Sequence, residues 1–160
     1  MRTVLLACAF ALLGAGTALG ASFTFSVVTA SPLTLPSVTL NGDDQSQSFT
    51  VASQVESSGS SGWKVQAAAD APAFGSYSLP ALQVTAGSWS CVTGCPVTPL
   101  PTGLTYPMTL STTPQTIYNA DAGTGHGKFE IASTFLVSYP AKTLAGTYTA
   151  TITLSGSAGP

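Results

Sequence analysis

The chain has 160 residues, 44% of them apolar and only 6% charged, with four Lys and Arg against six Asp and Glu. So few cations cannot neutralise a run of phosphates, which argues against nucleic acid as a partner and disfavours anionic membrane surfaces. Low charge goes with disorder only where hydrophobicity is also low, and here Phe, Tyr and Trp are spread along the whole length, so the chain is expected to fold.

The chain opens with Arg2, an apolar run from Val4 to Leu13 and small residues from Gly14 to Ala21. That order is the pattern of a secretory signal peptide over residues 1–21, expected as a helix that is removed on export. Cleavage after Ala18, Gly20 or Ala21 each places a small residue at the cut. The apolar run is shorter than the roughly 20 residues of a spanning helix and nothing later matches it, so no membrane span is expected after cleavage. The expected location is secreted or on a bacterial cell surface. Residues 22–160 then form a single domain large enough for a sizeable core. Loss of Arg2 leaves Lys64, Lys128 and Lys142 against Asp43, Asp44, Glu56, Asp70, Asp121 and Glu130, a net charge of −3.

Beyond residue 21 the dominant signal is alternation with period two, and no segment reads as a helix. In chain order the candidate strands hold Phe23-Phe25-Val27, Val38-Leu40, Phe49-Val51, Trp63-Val65-Ala67, Leu82-Val84 and Met108-Leu110. Two longer ones follow. Phe129, Ile131, Phe135, Val137 and Tyr139 alternate with polar residues, with Leu136 on the second face implying local cover there. Tyr148, Ala150, Ile152 and Leu154 alternate with Thr147, Thr149, Thr151, Thr153 and Ser155. Turns fall at Asn41-Gly42, at 58–62 and at 122–125, and the Pro-rich stretch from Pro96 to Pro107 reads as one ordered excursion. Eight or nine short strands of this kind predict an all-β fold, a two-sheet antiparallel sandwich of jelly-roll or Ig-like form.

Once Cys8 is removed, Cys91 and Cys95 are the only thiols, and in an oxidising compartment they read as a disulfide that fixes one turn. A two-cysteine metal site is the alternative, but it needs two more ligands and the only histidine, His126, lies far along the chain. No metal and no cofactor are expected. His126 sits in a glycine-rich turn without a nucleophile elbow. The carboxylates occupy no recognisable glycosidase setting, and Asn41, Asp43 and Asp44 lack the spacing of a calcium loop. The chain is therefore expected not to be an enzyme. Tryptophans remain as ligand-binding candidates, because exposed indoles stack on sugar faces. Trp63 is in phase with Val65 and Ala67, which favours the core, whereas Trp89 lies two residues before Cys91, placed either to pack on the disulfide or to meet a ligand.

Two blocks carry a resemblance. One is Ser61-Gly62-Trp63-Lys64-Val65-Gln66-Ala67 with Leu82-Gln83-Val84-Thr85 after it; the other runs from Leu144-Ala145-Gly146-Thr147-Tyr148 to Ile152-Thr153-Leu154 just before Pro160. Together they resemble the WxL domain of bacterial cell-surface proteins, with Val65 in place of the family's Leu and Leu154-Ser155 where a second Trp-x-Leu belongs. The resemblance implies a non-catalytic β-sandwich held at the cell envelope, with cell-wall polysaccharide or peptidoglycan, or other surface proteins, as its partners. The alternative is a structural subunit of a surface filament or pilus-like assembly, self-assembling as the stretch from Ala21 to Thr29 adds a strand to a neighbour through Phe23, Phe25 and Val27.

Overall fold

The structure, a computed structural model of the full chain, describes residues 2–13 and 22–159. Its strands are β1 (Arg2–Leu13), β2 (Phe23–Val27), β3 (Leu33–Thr34), β4 (Val38–Leu40), β5 (Gln45–Ser57), β6 (Trp63–Ala69) and β7 (Ala73–Phe74). They continue as β8 (Tyr77–Ser78), β9 (Gln83–Val97), β10 (Met108–Thr109), β11 (Gln115–Ala120), β12 (His126–Tyr139) and β13 (Gly146–Ala158). An eight-stranded sheet has the path β11-β6-β13-β1-β3, with β4 also on β1, β7 also on β13, and β8 on β7. A five-stranded sheet has the order β10-β9-β12-β5-β2. The described residues are thus all-β in two sheets, as a sandwich requires, and every pairing is antiparallel except β1 with β13.

Alternation decides which side chains fill the space between the sheets. Phe129, Ile131, Phe135, Val137 and Tyr139 of β12 are buried against the buried Trp63, Val65 and Ala67 of β6 and Tyr148, Ala150, Ile152 and Leu154 of β13. Phe49 on β5 stands opposite Phe135 and stacks on it with ring centroids 5.3 Å apart. Trp63 lies at the centre, stacked on Tyr118 at 6.1 Å and tilted against Phe129 at 6.4 Å. Its indole N–H donates to the Gly125 carbonyl at 3.0 Å. Gly125 has φ 71°, and a Cβ there would run into the indole nitrogen, so both the backbone and the space demand glycine.

Three features depart from the expected strands. β11 was not expected. A register shift between Thr116 and Tyr118 breaks its alternation and leaves Ile117, Tyr118, Asn119 and Ala120 all buried. Asn119 tolerates burial because it exchanges two hydrogen bonds of 3.1 Å with the Thr102 backbone. β9 continues through the cysteine pair to Val97, and the loop after it is pinned by Asn119, by the 2.6 Å Thr102–Asp121 hydrogen bond and by the Tyr106 hydroxyl donating to the Ile117 carbonyl.

The third departure is β1. Where the sequence suggests a signal helix, Arg2–Leu13 is extended and lies inside the larger sheet, with Val4, Leu6 and Cys8 facing the core and no more than 1% exposed. The outward positions Leu5, Ala7 and Ala9 are apolar too, although half-buried or exposed, so the strand reads as a continuous apolar run, as an export signal also does. The proposed cleavage positions, Ala18, Gly20 and Ala21, lie outside the described residues.

Candidate functional site

Among the described strands, the longest run of exposed residues is in the far half of β9. Its inner neighbour is β12, but its outer side has only the two-residue β10, opposite Gln83 and Val84. From Ser88 to Gly94 every residue is exposed. Such an edge offers unpaired backbone donors and acceptors.

Trp89 stands on this edge. It is opposite Ile131, so it points to the core side, yet its position on the rim leaves it 38% exposed. Its indole and the Phe129 ring pack in a T-shaped arrangement, with centroids 5.7 Å apart and planes at 81°. Thus Trp89 packs on Phe129 and keeps part of its ring in solvent. Trp63, the other candidate, has no exposed surface to offer a ligand.

Cys91 and Cys95 are joined as a disulfide. The turn it closes lies tightly on β12: a Cβ at Gly127, whose φ is 114°, would collide with the Gly94 carbonyl. The bridge therefore fixes the exposed strand just beyond Trp89. Where this turn reaches β12, Thr93 stands opposite Lys128, which in turn stands opposite Glu56 of β5. Ser22, Glu56, Thr93, His126 and Lys128 line an open polar cleft at this end. Four residues of extended chain separate Trp89 from Thr93, about 13 Å. The indole lies on the core side of the smaller sheet's rim, whereas Glu56 and Lys128 of the cleft lie on its outer face, so the two features sit on opposite faces of the same open edge.

The remaining candidates are dispersed. Glu56 and Glu130 are diagonal neighbours on the outer face of the smaller sheet, a geometry that sets them about 7–8 Å apart, with Lys128 opposite the first. Asp43 and Asp44 lie before the opposite end of β5, where they hold loops together. The Asn41 amide donates to Asp43 at 3.2 Å, and Asp44 accepts the Ala141 N–H at 2.8 Å. Among the described residues no three His, Cys, Asp or Glu side chains are grouped as a metal ion would need, and no helix is long and apolar enough to cross a membrane.

Burial displaces several acid–base equilibria inside the sandwich. The Cys8 thiol is pushed up to about 11 by burial, and Tyr139 to about 12 by burial and then by the neighbouring Cys8. Tyr118 rises to about 12 through burial and its neighbour Tyr106. These groups stay neutral across the ordinary pH range and act as packing and hydrogen-bonding groups. Sequence reading missed the polar cleft because its members come from β5, β9 and β12 and the segment before β2; only the pairing register brings them together.

Compared with known proteins, the chain matches no family model, no curated protein and no solved structure.

Proposed function

We propose that the chain is exported and works at the cell envelope as a non-catalytic binding module, with wall polymer, peptidoglycan first, or a neighbouring surface protein as its ligand. The WxL-like form of the sandwich belongs to the same proposal and is supported by the two residue blocks around Trp63 and Tyr148. The observation that carries the reading is the half-exposed indole of Trp89 on an open, disulfide-braced edge strand. A glycan crossing over the open β9 edge stacks a sugar face on Trp89 at the core-side rim and turns its hydroxyls and peptide stem towards the cleft on the outer face. There Lys128 meets stem carboxylates and Glu56 meets amines.

Co-sedimentation tests this. Full-length protein mixed with washed cell-wall sacculi is expected in the pellet, with Trp89→Ala retained at least about tenfold less, the loss of one aromatic contact near 1.4 kcal/mol. Protein left wholly in the supernatant, or Trp89→Ala pelleting as well as wild type, overturns the assignment.

A further inference from the structure

β1 is bonded on both sides. Along one flank it pairs in parallel with β13, from Val4 opposite Gly146 to Leu13 opposite Ser155. Along the other it pairs with β3 and β4, and the Leu35 N–H donates to the Leu6 carbonyl at 2.9 Å. Neither β3 nor β4 has another ladder partner among the described strands. The segment that reads as an export signal therefore fills a gap one strand wide in the larger sheet, with Val4, Leu6 and Cys8 seated in the common core. Taking it out exposes one edge of β13, leaves β3 and β4 without a ladder and opens three apolar seats to water.

We propose that this gap is a strand-acceptor slot. Once residues 1–21 are removed, it takes an extended segment of a partner polypeptide, parallel to β13, with small or medium aliphatic side chains at alternate positions. The proposal rests on the export reading and gives the filament alternative a specific acceptor. The resident strand shows what the slot accepts: an unkinked chain whose inward residues are Val, Leu and Cys in turn. The chain's own β2 is a poor substitute. Phe23 and Phe25 carry rings larger than those seats, and β2 already holds five register pairs with β5 and buries Phe23. Closing the gap without an occupant would require β3 and β4 to move by about one strand spacing, 4.8 Å, with Leu33 and Leu35 leaving their places against the core.

The test starts from the full chain with a protease recognition sequence in place of residues 14–19. It is cut, unfolded in urea and refolded with a tenfold excess of labelled synthetic peptide of residues 2–13. The labelled peptide is expected to co-elute with the domain at one to one, and a Leu6→Asp peptide to bind at least about 100-fold more weakly, since it places a charge in an apolar seat. Because the charge is on the peptide, the domain itself is unaltered. Refolding to a monodisperse domain that takes up no peptide, equal uptake of the Leu6→Asp peptide, or aggregation that the peptide does not prevent overturns the slot. The mass of protein recovered outside expressing cells reads the export separately. A chain beginning at Leu19, Ala21 or Ser22 supports it. A chain that keeps Met1 overturns the cleavage, and with it the partner strand, while peptide uptake still shows the slot.

Discussion

Replacing Trp63 by Phe removes the indole N–H from a buried acceptor while keeping an aromatic ring at the centre of the core. The Gly125 carbonyl, itself buried, loses its 3.0 Å donor. A buried group left unsatisfied costs about 1–3 kcal/mol. The smaller ring also loosens the contacts with Tyr118 at 6.1 Å and Phe129 at 6.4 Å, about 1 kcal/mol more by the usual cost of removing buried carbon. The expected loss is about 3 kcal/mol, and for a chain of this size each kcal/mol lowers Tm by roughly 2–4 °C. Urea unfolding followed by far-UV circular dichroism should show a lower midpoint at unchanged slope. Trp89→Phe is the matched comparison: at the rim it keeps a ring against Phe129, and the loss is expected to be about 1 kcal/mol or less. A Trp63→Phe protein within about 0.5 kcal/mol of wild type, or one no less stable than Trp89→Phe, refutes the placement of the two tryptophans.

Alkaline stability follows from the buried hydroxyls and thiol. Tyr118 and Tyr139 are held near 12, and Cys8 near 11, by burial in the first place, all above their ordinary values of 10.0 and 9.0. The unfolded chain thus releases these protons first, so stability is intact below about pH 9 and falls as pH rises towards 12. Ionisation of Tyr118 and Tyr139 should appear together with loss of the β signal; their ionisation near 10 in a still folded protein would contradict the burial. Reduction of Cys91–Cys95 is expected to cost no more than about 2 kcal/mol, because the loop it closes is short. Denaturant unfolding with and without reductant measures it, and a loss of global folding on reduction would show that the bridge holds more than one turn.

Where one sheet face is polar and the other apolar, the sequence revealed the structure. Thr147 to Ser155 against Tyr148 to Leu154 marks β13 and its inward face, and the phase of Trp63 with Val65 and Ala67 marks that indole as core. The cysteine spacing likewise marked the disulfide. Legibility failed where this contrast is missing. β11 buries four consecutive residues across a bulge, one of them an asparagine satisfied by a loop residue, so neither polarity nor period exposes it. β1 carries apolar residues on both faces, and an unbroken apolar run does not distinguish a strand from an export helix. The polar cleft at the end of β9 depends on the register of β5, β12 and β9, which is a long-range property. Glu56 and Lys128 carry no local mark of facing each other.

The binding account is tested most directly by the emission of Trp89 itself. Trp63 is sealed in the core and serves as an internal reference, so ligand reaching the β9 edge changes the fluorescence of the exposed indole. Titration of the full-length protein with soluble peptidoglycan fragments is predicted to give a saturable change in emission that disappears in Trp89→Phe. The same change in Trp89→Phe, or fragment binding by calorimetry with Trp89 emission unmoved, would contradict the placement of the binding surface.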